Sequence, residues 1–228
     1  MSAYRETAAL VPGATLWTRT DGGGSPYRVL PDGCMDLVWH DGSLFVAGPD
    51  TTAYAVADRP GSNYAGLRFA PGVGPALLGL PAREVRDQRV PLDDLWPAGQ
   101  ARRLATRADA GPAAALDAWA ASRARTAAPA DPLPAAVAAA LSAGHPLAAA
   151  TEPCGLGERQ LRRRCEAAFG YGPRTLARIL RLQRALALAR AGTPLARVAA
   201  DAGYADQPHL SREVRALTGV TLGDLLRT

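Results

Sequence analysis

The side chains best suited to chemistry fall into two groups. The first is Arg159, Arg162, Arg163 and Arg164, joined further along by Gln207, His209, Arg212 and Arg215. A guanidinium fork pairs with phosphate oxygens and with the O6 and N7 acceptors of guanine, and Gln and His also bond base edges. The second is Cys34, Asp36 and His40, which share one face of a strand and have the residue types of a nucleophile, an orienting acid and a base. Spacing argues against a triad. At about 3.3 Å per residue, Asp36 and His40 lie roughly 13 Å apart along a strand, far beyond hydrogen-bond reach. Pro31-Asp32-Gly33 reads as a turn leading into a buried strand, and the remaining readings of Cys34 are a ligand-pocket wall or a redox-sensitive thiol.

The chain that must position these groups has 228 residues, 48% hydrophobic and 21% charged. That is enough for one large domain or two ordinary ones with their own cores, and it argues against disorder. No segment supplies the roughly 20 apolar residues of a bilayer crossing. The start carries Arg5 and Glu6 with no long apolar run after them, so no secretory signal is expected and the location expected is the cytoplasm. Three cysteines, none in a Cys-x-x-Cys pair or near spaced histidines, imply neither a disulfide framework nor a metal site. No cofactor is called for. The net charge of +5 is unevenly placed: residues 1–130 hold 13 Arg against 13 acids, and residues 131–228 hold 13 Arg against 8 acids. The C-terminal part seeks an anion.

Up to Phe69 the pattern is of short strands: residues 16–18, 27–30, 34–40, 44–47, 52–56 and 63–69, separated by Gly, Pro and Asp. Six such strands predict an antiparallel sheet or barrel. Asp41-Gly42 predicts a tight hairpin turn, because these residues tolerate positive φ. After Pro71 the texture turns helical over residues 76–80, 101–107 and 112–125, and residues 127–134 read as a linker. From Leu133 onward helix follows helix, with stops at Gly144, Gly155, Gly170, Gly192, Gly203 and Gly219.

This second part repeats itself at an offset of 49 residues: Leu161 matches Leu210, Arg163 matches Arg212, Cys165 matches Val214, Ala167 matches Ala216 and Gly170 matches Gly219. In the later copy Thr193-Pro194 starts a helix that Gly203 ends, and Asp206 caps a second one with Leu210, Val214 and Leu217 on its apolar face. Helix, glycine turn and helix make a helix-turn-helix unit. Its outward residues are Gln207, His209, Ser211, Arg212 and Arg215. In the earlier copy Leu161, Cys165 and Ala168 point inward and Arg159, Arg162 and Arg163 outward. Residues 174–190 carry leucines on more than one side and read as a long helix joining the two units, buried by two partners at once.

Residues 133–227 resemble the AraC/XylS family of bacterial transcription regulators. The resemblance rests on Arg181-Leu182-x-x-Ala185, on the run from Val198 to Asp206 with Ala202-Gly203-Tyr204 at its centre, and on Leu210-Ser211-Arg212 followed by Thr218-Gly219. It implies recognition helices at residues 158–168 and 207–217, with base contacts from Arg159, Arg162, Arg163, His209 and Arg212. The first copy departs from the pattern at Thr151, Pro153, Gly157 and Cys165. The front half is similar to an uncharacterised sensor-like domain found ahead of this module in actinobacterial regulators. The likeness is carried by residues 30–38 (Leu30-Pro31-Asp32-Gly33-Cys34 and the strand after it), by Gly48-Pro49, and by Gly66-x-Arg68-Phe69-x-Pro71-Gly72.

The reading is an α+β chain of two domains. Residues 1–128 form an antiparallel β-rich, barrel-like domain followed by helices, for effector binding or dimerisation. Residues 129–228 form an all-α DNA-binding domain with two helix-turn-helix units joined by a long helix. The expected partners are double-stranded DNA, a small-molecule effector contacting Cys34, Asp36, Trp39 and Arg68, and a second copy in a homodimer. Arg174, Arg178 and Arg181 are expected at phosphates or in structural contacts. Two alternatives stand beside this reading: a DNA binder without sequence preference, and a Cys34-dependent enzyme or redox sensor.

Overall fold

The computed structural model describes residues 3–21, 26–127, 131–152 and 155–227. Pro153, Cys154 and the middle of the expected linker, residues 128–130, lie outside them.

Six strands, β1 (Ala3–Ala8), β2 (Ala14–Thr20), β4 (Met35–His40), β5 (Ser43–Ala47), β7 (Asn63–Phe69) and β8 (Arg89–Pro91), form one antiparallel sheet in the order β1-β2-β7-β4-β5-β8. Strands β3 (Tyr27–Val29) and β6 (Tyr54–Val56) pair separately as a ribbon. The expected hairpin is present: Asp41 and Gly42 have φ of 42° and 90° and join β4 to β5. Strands β1 and β8 are additional to the sequence reading. The first is exposed throughout and lacks apolar alternation, and the second is three residues long and ends in proline.

The two-residue period of the strands sorts the sheet into two faces. Met35, Leu37, Leu67 and Phe69 point to one side and form a core with Leu104, Leu116 and Ala120 from the helices behind. Those helices are α1 (Gly74–Leu78), α2 (Leu92–Leu95), α3 (Ala98–Ala110) and α4 (Pro112–Thr126). The alternate residues, among them Asp36, His40, Tyr64 and Arg68, face away from the helices. Trp39 therefore belongs with Met35 and Leu37, and its indole approaches Asp109 of α3 at 3.5 Å.

The C-terminal part is helical: α5 (Pro132–Ser142), α6 (Leu147–Thr151), α7 (Glu158–Phe169), α8 (Pro173–Arg190), α9 (Leu195–Ala202), α10 (Gln207–Thr218) and α11 (Leu222–Arg227). All six glycines read as helix stops have positive φ. Helix α8 belongs to two cores. Leu176, Ile179 and Leu180 pack with Leu133, Val137, Leu161 and Phe169, whereas Leu182, Ala185 and Leu186 pack with Val198, Ala202, Leu210 and Val214. Arg184 ties the two together by donating to the terminal carbonyls of two other helices, Leu141 of α5 at 3.0 Å and Ala202 of α9 at 2.7 Å. Such carbonyls have no partner inside their own helix.

The two parts are held together by the segments that mark the front domain in sequence. Leu30 enters the second helical core, and Pro31 accepts a hydrogen bond from Gln183 of α8 at 2.6 Å. Gly72 has φ 88°, and a Cβ there would stand 2.9 Å from Pro134 and 3.1 Å from the Phe169 ring. The backbone of Ala53 donates to Leu217 of α10 at 2.7 Å.

Replacing Arg184 by Leu removes both charge-assisted bonds while keeping an apolar stem. It should lower unfolding stability of the full chain by about 2 kcal/mol. An unchanged urea midpoint would show that the guanidinium does not join the helices.

Candidate nucleic-acid interface and cavity

In the first helical unit, α6 and α7 flank the turn at Gly155. Helix α7 buries Leu161, Cys165, Ala168 and Phe169 and leaves Arg159, Arg162 and Arg163 exposed. Arg162 spans one turn to Glu166 at 2.8 Å, an exposed pair that solvent screens. Arg164 points elsewhere and binds Asp131 at 2.7 Å, so it braces the start of α5. Among the described residues no ion pair engages Arg159 or Arg163.

In the second unit, α9 ends at Gly203, and Asp206 caps α10 by accepting from the His209 backbone N–H at 2.6 Å. Burial of Leu210, Val214, Leu217 and Thr218 fixes the inner face, leaving Gln207, Ser211, Arg212 and Arg215 outward. His209 is half-buried, with its ring edge-on to Tyr204. Its Nδ1 accepts the Ala205 N–H at 3.2 Å, so the neutral ring carries its proton on Nε2 and offers a donor there. The Thr218-Gly219 pair ends the helix: the Thr218 hydroxyl donates to Val214 O at 2.8 Å and accepts from the Val220 N–H.

Arg178 was expected at a phosphate or in a structural contact. It makes a two-pronged ion pair with Glu213 of α10, at 2.9 and 3.1 Å, which anchors α10 to α8. Arg181 lies over the Tyr204 ring at 5.4 Å.

The opposite pole of the chemistry is a cavity of about 940 Å³ between the helix-free face of the main sheet and the β3–β6 ribbon. Two guanidinium-on-ring contacts fasten the ribbon down: Arg19 over Tyr27 at 3.2 Å and Arg89 over Tyr54 at 3.9 Å. Arg89 is also held by a two-pronged pair with Asp50, one arm of it 2.6 Å. The floor centres on the cross-strand neighbours Asp36 and Arg68. Arg68 Nε stands 3.5 Å from Asp36 and 3.8 Å from Asp32, and its Nη1 donates to Glu6 at 3.3 Å. Trp17 lies across Gly66, where any Cβ would collide with the indole, and its Nε1 donates to Asp36 at 2.6 Å. His40 stacks on Tyr64 at 4.0 Å between ring centres, and the Tyr64 hydroxyl donates to Asp58 at 2.6 Å.

Of the four effector-contact residues expected from sequence, Asp36 and Arg68 line this cavity and meet. Trp39 does not, because its odd position on β4 turns it to the helix side. Cys34 is placed beside the floor and is absent from the cavity lining among the described residues. Its thiol is pushed well above the ordinary range by burial and by the nearby Asp32 and Asp36 charges. A protonated thiol is a poor nucleophile and a poor redox sensor, which argues against the Cys34 alternatives. Sequence reasoning missed Trp17, Arg19, Tyr27, Tyr54, Tyr64 and Arg89. Strand order alone brings them together, so no linear signal marks them as a set.

Residues 151–228 match the family model described as "Helix-turn-helix domain", and residues 14–91 match "Domain of unknown function (DUF6597)". Among curated proteins, none matches the chain in sequence. Among solved structures, ToxT from Vibrio cholerae in one crystal form is similar at a TM-score of 0.52 and 10% identity, covering 94% of this chain and 98% of its own. The apo form of a ToxT variant covers 96% and 99% at a TM-score of 0.50 and 11% identity. At such identity the likeness is one of fold: an antiparallel β-rich part followed by a helical part.

Burial raises the Asp36 pKa to about 6; Arg68 opposes the shift and Asp32 adds to it. The folded chain thus holds this proton more tightly than the unfolded one, whose value is about 4. The Asp36 contribution to stability is greatest below about pH 4 and declines as pH rises through the window from about 4 to about 6. Compared by urea unfolding, Asp36→Asn should gain on the wild type between pH 5 and pH 7. A pH-independent difference would contradict the assignment.

Proposed function

We propose that this chain, whose residues 151–228 match a helix-turn-helix domain and whose residues 14–91 match a DUF6597 domain, is a DNA-binding transcription regulator of the AraC type. We propose that it reads a specific operator with both α7 and α10, that it acts in the cytoplasm, and that a small molecule in the front-domain cavity modulates it. The observation that carries the first part is the attachment of two amphipathic helices, each ended by a left-handed glycine, to the two halves of α8, each with an arginine-bearing outer face. Helix α8 has 18 residues, a length of roughly 27 Å. That suits recognition helices in successive major grooves, about 34 Å apart. Arg159, Arg162 and Arg163 from α7, and Gln207, His209 and Arg212 from α10, are the base and phosphate contacts of this reading.

Modulation is supported by continuity of the chain. The ribbon that roofs the cavity runs at one end into Leu30 and Pro31, which engage α8 and its neighbours. At the other end it follows Ala53, which is bonded to α10. Gln183 and Arg190 of α8 themselves line the cavity. A ligand that moves the ribbon therefore acts on the elements that hold the recognition helices, and no catalysis is required.

Selection of bound sequences from random duplexes tests specific readout with the full chain. Arg163→Ala and Arg212→Ala should each cost about 1–3 kcal/mol and relax preference at one base position. Arg178→Ala should weaken all sequences about equally, because it frees Glu213 and loosens α10. Log affinity should fall against log salt with a slope near ~−5 if about six phosphates are contacted. Identical preferred motifs for the wild type and both recognition-helix variants would refute specific readout.

A further inference from the structure

The cavity described above combines features that narrow what can fill it. Its walls are aromatic, with Tyr4, Trp17, Tyr27, Tyr54 and Tyr64 all contributing. Trp17 and Tyr64 are inclined by 30°, with 6.4 Å between ring centres. Its carboxylates are Glu6, Asp32, Asp36 and Asp58. Of the arginines that also line it, Arg19 is engaged with Asp21 and Tyr27, and Arg89 with Asp50 and Tyr54. Arg28 and Arg190 are exposed on the rim. On the floor Arg68 alone stands against Glu6, Asp32 and Asp36. Asp58 adds a buried Oδ2 with no hydrogen-bond partner among the described residues, while its Oδ1 is used by Tyr64.

On the floor, an excess of carboxylate oxygens over the single Arg68 guanidinium, set between ring faces, attracts a ligand that is positively charged, donates hydrogen bonds and has a flat surface to stack. On the floor an anion would have to approach the same oxygens at a desolvation cost with only the shared Arg68 guanidinium to receive it, since Arg28 and Arg190 stand out on the rim. We propose that the front-domain cavity binds a planar organic cation, of amidinium or protonated aromatic amine type, with its N–H groups on Asp36 and Asp58 and its ring between the aromatic walls. This rests on the reading of the cavity as an effector site and names its ligand class.

The test uses three nearly isosteric probes, benzamidinium, benzamide and benzoate, titrated calorimetrically into the full chain at pH 7.5. Benzamidinium should bind at least ten-fold more tightly than benzoate. Asp58→Asn and Asp36→Asn should each weaken benzamidinium five-fold or more while moving benzamide less than two-fold; benzamide serves as the check that the cavity is still formed. Tighter binding of benzoate, lost in Arg68→Gln, would overturn the cation class and leave the cavity standing as an effector site. Benzamidinium binding that ignores both carboxamide variants would overturn the assigned contacts. No binding of any probe would overturn both this ligand class and the effector reading, whereas operator selection by the full chain would be untouched.

Discussion

The burial of α8 on several sides at once is the constraint from which the rest follows. Leu176, Ile179, Leu182 and Leu186 are completely inaccessible to solvent, the first two in one helical core and the last two in the other. Each such side chain contributes roughly 1.5–3 kcal/mol on leaving water. Helices α7 and α10 are therefore not independent bodies on a string. Each packs through its own apolar seam on a shared rod, and Arg184 adds polar bonds across it. A change in the rod's setting must be felt at both ends.

The same rod explains why the front domain is more than an attached weight. Segments that look like loop punctuation in the sequence are where it is gripped. Gly33 lies against Leu176, with room for a Cβ only 3.3 Å away, and Gly170 at the end of α7 presses on Pro49 and Ala82. Arg86 reaches the Gly170 carbonyl at 3.4 Å. Glycine is needed there because the Pro71 and Leu176 side chains at Gly33, and the Pro49 side chain and Ala82 carbonyl at Gly170, crowd any Cβ, so the motif glycine of the front half serves the interface as much as its own turn. The polar groups follow a second logic. Asp32 sits in the gripped loop and also faces Arg68 on the cavity floor, which places one carboxylate in both the cavity and the joint.

How much of this could be read from sequence depended on whether the controlling interaction was local. Helix ends, the Asp41-Gly42 hairpin and the inner faces of α7 and α10 rest on spacings within one element, and the residues named for them stand where expected. The 49-residue repeat located α7 and α10 because two copies of one unit bury the same positions. Trp39 was misplaced for a simpler reason: strand parity already put it opposite Asp36, and only the position of the helices decided which face was which. The cavity was illegible beyond Asp36 and Arg68, since its aromatic walls come from strands β1, β2, β3, β6 and β7, brought together by a strand order that sequence does not state. For Arg178 the sequence left phosphate and structural contacts open, because its partner Glu213 lies 35 residues away on another helix.

The links from cavity to recognition helices also bound how strongly one can influence the other. They consist mainly of the Gln183 to Pro31 and Ala53 to Leu217 hydrogen bonds and the packing of Leu30. A net intramolecular hydrogen bond contributes about 0.5–1.5 kcal/mol, and a half-buried leucine contributes on a similar scale. A ligand that broke or completed all three contacts would shift the setting of α8 and α10 by on the order of 1.5–4.5 kcal/mol, which on the proposed reading is a roughly 10- to 2,000-fold change in operator affinity. Moving an equilibrium from one extreme to the other needs about 5.5 kcal/mol of differential binding. On the proposed reading the joint suits graded adjustment of DNA binding better than an all-or-none switch. Its response would be set by how differently the ligand is held when the ribbon's flanking contacts are made and when they are broken.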